Sequence, residues 1–275
     1  MPTKEEISDP SANRREHGMS MVLSRGIFAL SIDLDLDPSR PATRQLRPLE
    51  EITARLTRLL AKYNVPATWG VADPAVSAAS EPLTAACAGH EIAILGDVSW
   101  VGHEAGRSRF ARELGRRTTR ARGAGLDVST LLLRGVDLTD HLDIAVKYAI
   151  TAVRNGIQQG HRAPQSLRYG LWQVPVSESL PGASRWQVGG GRGRSARREI
   201  DRACVTAGVV HFAIDALRLA ERGPAALHVL DRVLRYADEQ RRKRLLMVET
   251  LSTTTRLLTG GRTSLPSQSI LRKAA

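Results

Sequence analysis

Short apolar runs alternate with amphipathic stretches along most of this chain, and that alternation limits the fold more than any other feature. The run Phe28–Ile32 is followed by Leu49, Ile52, Leu56, Leu59 and Leu60 at helical spacing, then by "VPATWGV" (65–71). Further apolar runs are "HEIAIL" (90–95), "DVSTLLLRG" (127–135), "KYAITAVR" (147–154), "YGLWQVPVS" (169–177), "GVVHFAI" (208–214) and "LLMVET" (245–250). Between them lie stretches with helical periodicity at about 105–125, 195–207 and 223–242, a short one near 81–88, and a last one carrying Leu251, Leu257 and Leu258. Strands that alternate with helices predict βα units and a largely parallel sheet. Seven or so such units in 275 residues fit one irregular (β/α) barrel.

The polar segment 1–20 and the stretch 259–275 read as disordered tails flanking a barrel over 26–258. The first segment has no apolar core of a secretory signal, and no apolar run reaches the ~18 residues of a membrane span. Cys87 and Cys204 form no zinc-type spacing, and two cysteines are compatible with a cytoplasmic setting. The formal charge of +12 raises the question of an acidic polymer, but only five of the 40 basic residues are lysines and the arginines are spread along the chain. The densest runs, 116–122 and 241–244, fall on predicted helices, where a solvated face is the ordinary explanation. Nucleic acid is therefore not the expected partner.

In a (β/α) barrel the working side chains stand at the C-terminal ends of the strands. Those positions here are Asp33 and Asp35 after the first strand, Asp73 after the second, Asp97 after the third and Arg134 after the fourth, with His211 inside a later strand. Two carboxylates, a guanidinium and an imidazole at one mouth suit acid–base hydrolysis. The competing readings are structural: Asp33 and Asp35 as turn residues, Arg134 as the ion-pair partner of one of them, and His211 as a satisfied core histidine. Asp37 belongs to the loop before Pro38.

The series "FALSIDLD", "LLAKYNVPATWGV" and "GHEIAIL" resembles the N-terminal half of the polysaccharide deacetylases, the NodB-homology or carbohydrate esterase family 4 group. The likeness extends over roughly 26–134 and, more weakly, 208–258. It implies a distorted (β/α) barrel and a hydrolase of non-peptide C–N bonds, acting on an N-acetylated amino sugar or a related amide. It also implies a divalent metal, zinc in the family, held by one Asp and two His. On that correspondence Asp33 is the base, Asp35 the metal ligand, His211 the late histidine and Arg134 the arginine of the third motif. The two metal histidines should stand at positions 95 and 99, which here are Leu95 and Ser99. Leu95 has no donor atom, and Ser99 is a poor zinc ligand. A rebuilt set of Asp35, Asp97 and His103 is one expectation, an oxygen-rich site better matched to magnesium or calcium. A pseudo-deacetylase that binds carbohydrate or regulates is the other. His90 belongs to the retained "GHEI" and is expected to hydrogen-bond at the strand start.

Two further features invite a function. The loop "GGGRGRS" (189–195) lacks both phosphate-loop patterns and reads as a surface loop. Trp100, in "SWVGHEAGR", either offers a face for sugar stacking or packs its loop onto the barrel.

Overall fold

The structure, a computed structural model, describes residues 24–36, 39–75, 89–156, 163–180 and 194–260. The expected helix near 81–88, most of the glycine-rich loop, Asp37, Cys87 and almost all of both expected tails lie outside these residues.

Strand β1 (Gly26–Leu34) is the hub. Its alternate residues Phe28, Leu30, Ile32 and Leu34 enter a large outer apolar cluster, while Ala29, Ser31 and Asp33 take the opposite face, as the two-residue strand period requires. One edge of β1 pairs in parallel with β9 (Val209–Asp215). The other edge is shared: Gly26–Ala29 pair with β10 (Leu246–Glu249) and Ser31–Leu34 with β2 (Thr68–Val71). From β2 the sheet continues through β3 (Glu91–Asp97), β4 (Thr130–Arg134) and β5 (Ala152–Arg154) to the short β7 (Trp172–Gln173), all parallel. The two-residue β6 (Gln165–Ser166) adds antiparallel to β7.

The expected strand 169–177 is divided. Tyr169 and Gly170 have positive φ, which ends extended structure, and Pro175 cannot donate to a ladder. The division lets one segment serve both ends of the sheet. Val174 N–H donates to Val153 O (2.9 Å) beside β5, and Ser177 N–H donates to His211 O (2.8 Å) beside β9. The chain then pairs with β9 as β8 (Glu178–Leu180). Residues 172–180 thus draw the curled sheet together into an irregular barrel.

Helices pack outside on two apolar clusters. Helix α1 (Thr43–Lys62) buries Ile52, Leu56 and Leu60, one per turn, the stripe that an amphipathic helix turns to a core. With α4 (Arg194–Thr206) and α6 (Pro224–Arg242) it covers β1, β2, β9 and β10. Helix α2 (Gly106–Gly123) and the short α3 (Leu142–Lys147) cover β3, β4 and β5. Helix α5 (Ala216–Arg222) follows β9 directly. Inside the barrel a small cluster of Ala29, Ala93, Leu95, Leu132, Val174 and Leu251 fills the lower lumen.

Helix α7 (Leu251–Gly260) lies across the lower end. Its first turn is held by Glu91, whose carboxylate accepts from Ser252 N–H (3.0 Å), Thr68 Oγ1 (2.9 Å) and Thr130 Oγ1. Leu251 N–H donates to Thr68 Oγ1 (2.9 Å). At the far end Trp172 Nε1 donates to Thr259 Oγ1 (2.9 Å). A carboxylate against helix N–H groups is favoured by hydrogen bonding and by the helix dipole.

Candidate functional site

The upper lumen is organised by Arg154, the last residue of β5. Its Nη1 and Nη2 donate to Asp33 Oδ1 (2.7 Å) and Oδ2 (2.8 Å), a bidentate fork. Nη1 also donates to Ser31 Oγ (3.0 Å) and Nη2 to Leu133 O (3.2 Å). The Arg154 side chain is 3% exposed and that of Asp33 13%, so the pair is sealed from most water. Glycine at position 70 keeps the gap open. A Cβ there would stand 3.4 Å from Asp33 Oδ1, 3.6 Å from Leu95 Cβ and 2.7 Å from Leu132 Cδ1.

Ser31 links this pair to His211. Nδ1 of His211 lies 3.2 Å from Pro175 O and Nε2 lies 2.9 Å from Ser31 Oγ. A carbonyl only accepts, so Nδ1 carries the proton and the Ser31 hydroxyl donates to Nε2. Burial, aided by the Arg154 charge, pushes the His211 pKa down to about 3. This histidine is neutral, fully buried and hydrogen-bonded at both nitrogens. Ser31 is equally buried, and its hydroxyl already accepts from Arg154.

A second ion pair stands higher. Arg134 Nη1 lies 3.0 Å from Asp35 Oδ2, with side chains 37% and 21% exposed. Asp35 Oδ1 accepts from Leu36 N–H (2.8 Å). Burial raises the Asp35 pKa against the pull of Arg134 and of that backbone N–H, and the charges of Asp97 and Asp33 push the same way as burial. Asp97, at the end of β3, accepts from Ser99 N–H through Oδ1 (2.8 Å). Asp215 is in register with Asp33 on the neighbouring strand. It caps α5 by accepting from Arg218 N–H (3.0 Å), and burial raises its pKa as well.

The structure therefore gathers Asp33, Asp35, Asp97, Arg134 and His211 in one barrel, with the first two carboxylates each bound to an arginine. Asp73 stands apart, held by Arg120 (2.6 Å) and Arg116 (3.6 Å) on α2. His103 begins a 3-10 turn, and its side chain lies outside the described residues. Leu95 is 4% exposed in the lower-lumen cluster. Trp100 packs inward: it is 2% exposed, stacks on Phe110 with centroids 5.8 Å apart and carries the Arg117 guanidinium 4.7 Å over its ring. Its face is not available to a sugar. His90 accepts Ala67 N–H through Nδ1 (2.9 Å), fixing the entries of β2 and β3.

Sequence reasoning missed Ser31, Arg154 and Asp215. Each carried a signal. Ser31 is two residues before Asp33 on the same strand face, Arg154 ends an expected strand, and Asp215 follows one directly.

Above the ion pairs opens a cleft of about 730 Å³, bordered by Asp35, Arg44, Arg134, Asp215 and Arg218 among others. Among solved structures, a protein described as a polysaccharide deacetylase from Mycobacterium smegmatis superposes with a TM-score of 0.65 at 16% identity, covering 86% of this chain and 91% of that one. A protein described as a glycoside hydrolase/deacetylase from Parabacteroides distasonis gives 0.57 at 13% identity, over 87% of this chain and 73% of that one.

The fold is of the polysaccharide-deacetylase type.

A 4-alpha-glucanotransferase from Thermococcus litoralis also superposes, with a TM-score of 0.60 at 12% identity. It covers 83% of this chain but only 40% of that one. At such identities the likeness is one of fold. Compared by sequence, the chain matches no family model and none of the curated proteins.

The expected metal can be tested against the donors present. Zinc needs three or four N, S or O ligands with free lone pairs. Of the family's ligand set only Asp35 is present, with one oxygen paired to Arg134 and the other accepting from Leu36 N–H, while Leu95 has no donor atom and Ser99 is a poor zinc ligand. Among the described residues no three His, Cys, Asp or Glu side chains form a group that could hold a metal ion. These donors do not fit the family's zinc. No described helix is long and apolar enough to cross a membrane.

Proposed function

We propose that this chain is a carbohydrate-binding barrel of the deacetylase type that does not run metal-dependent amide hydrolysis. The observation that carries the reading is the pairing of both acids: Arg154 on Asp33 and Arg134 on Asp35. A divalent ion about 5 Å from a fixed guanidinium is repelled by roughly 7 kcal/mol at an effective dielectric of about 20. Arg134 is exposed enough to swing away, but Arg154 makes four hydrogen bonds inside the lumen. Leu95 adds apolar contact on the side from which a ligand would have to come. The carbohydrate part of the reading draws on the fold neighbours, whose names describe sugar-modifying enzymes, and on the mixed acid and guanidinium lining of the cleft. A reduced cytoplasm is the proposed setting.

The test is acetate release from an N-acetylglucosamine oligomer, with zinc, magnesium or chelator added, alongside calorimetric titration of sugars. Binding without acetate release under every metal condition supports the proposal. Zinc-dependent release, abolished by Asp35→Ala, would overturn it.

A second reading keeps the hydrolase: N-deacetylation of an amino sugar with Asp35, Asp97 and His103 as a rebuilt ligand set. One observation favours it, namely that Asp97 is near enough for its charge to raise the Asp35 pKa. In the same assay it predicts acetate release dependent on magnesium or calcium.

A further inference from the structure

The cleft above the barrel carries more cationic than anionic groups, and their arrangement is uneven. Four arginines border it: Arg40 before α1, Arg44 in the first turn of α1, Arg134 at the end of β4 and Arg218 in α5. Three carboxylates face them. Arg134 holds Asp35 (3.0 Å), Arg218 holds Asp215 (3.4 Å), and Arg40 holds Glu221.

Arg44 is left over. It is exposed and makes no ion pair with any described carboxylate. It also stands at the N-terminus of a long helix. The first turn of α1 has no acidic residue, and the cap residue Ala42 offers no side-chain hydrogen bond. A cation at a helix N-terminus is opposed by the helix dipole. The same position adds to the positive potential that an anion entering the cleft would meet.

We propose that the cleft takes an anionic sugar, a hydroxyl-bearing ring carrying a carboxylate or a phosphate. The anionic group meets Arg44, whose planar fork matches carboxylate and phosphate oxygens. Ring hydroxyls meet the carboxylates of Asp35 and Asp215 across the cleft. The inference rests on the reading that this cleft binds carbohydrate, and it narrows the class.

The test titrates the full chain with glucuronate, glucose 6-phosphate, inorganic phosphate, glucose and N-acetylglucosamine. Variants are Arg44→Gln and, as a control, Arg109→Gln, an exposed arginine on α2 away from the cleft. At least one charged sugar should bind about tenfold tighter than glucose, and Arg44→Gln should remove that advantage. Affinity should fall as salt rises from about 50 to about 300 mM, and Arg109→Gln should change nothing. Which charged sugar binds identifies the anionic group. Equal binding of charged and neutral sugars, unaffected by Arg44→Gln, overturns this inference and leaves the carbohydrate reading standing. Inorganic phosphate binding as tightly as glucose 6-phosphate also overturns it, as a plain anion site. No binding of any sugar overturns both.

Discussion

Replacing Arg154 with methionine removes the guanidinium at the centre of the lumen while keeping much of its length. The change leaves Asp33, 13% exposed, with a buried carboxylate and no counter-ion. Breaking a buried ion pair from one side costs about 3–5 kcal/mol. The lost bonds to Ser31 Oγ and Leu133 O add about 1 kcal/mol each at most. Residual water at Asp33 reduces the first figure, so a total of about 4 kcal/mol is expected. In urea unfolding with a slope of about 2–3 kcal/mol/M, the midpoint should fall by about 1.5 M. Asp33→Asn should cost a similar amount by leaving the guanidinium without its anion. The double variant should be more stable than the sum of the two losses predicts, by about 2 kcal/mol or more, because the second change removes the stranded partner. An Arg154→Met loss below about 1 kcal/mol, or simple additivity, would refute the claim that a sealed Arg154–Asp33 ion pair organises the upper lumen.

Other consequences are open to measurement. The His211 pKa lies near 3 in the fold against about 6.5 unfolded. A depressed folded value means stability that is present above about pH 6.5 and lost as pH falls, because only the unfolded chain then takes up the proton. Wild type should therefore lose about 1.4 kcal/mol per pH unit from this group between roughly pH 6 and pH 4, a slope absent in His211→Gln when the two are compared by urea unfolding. Leu95→Ala should cost about 3 kcal/mol by opening a cavity in the lower-lumen cluster; a thermal shift no larger than that of Val205→Ala, an exposed site, would show that Leu95 is not packed there. Glu91→Gln turns one of its acceptor oxygens into a donor facing hydroxyl and N–H groups, at about 1–3 kcal/mol. Its mark should be faster amide exchange in residues 251–260, with β1 left protected.

Much of the fold could be read from the chain because the strands announce themselves. The two-residue period of β1 separates Phe28, Leu30 and Ile32 from Ser31 and Asp33, and the one-turn spacing of Ile52, Leu56 and Leu60 marks α1. The way the sheet closes was hidden, since it depends on a positive φ at Tyr169 and on Pro175 breaking the expected strand 169–177, so that β7 pairs with β5 and the chain joins β9 only past it. Helices α3 and α5 were too short to show a period. For the site, Asp33, Asp35, Asp97 and Arg134 were nominated from strand ends and His211 from inside a later strand. The pairing of Arg134 with one of the two aspartates was also expected, and Asp35 is that one; the partner of Asp33 was not, because the pairing of Arg154 with Asp33 spans 121 residues, and nothing local in "KYAITAVR" says across which lumen its last side chain reaches. Trp100 could not be decided from its loop; its stacking partner Phe110 is ten residues on, in α2.

The central claim is that guanidinium groups occupy both acids of the pair, Arg154 fixed on Asp33 and Arg134 on Asp35, the carboxylate a metal would need. Elemental analysis tests it most directly, on protein purified without a metal-affinity step, incubated with zinc and dialysed, beside an Asp35→Ala variant. The account predicts zinc well below one equivalent per chain, with no difference between the two proteins. One equivalent in wild type, lost in Asp35→Ala, would contradict it.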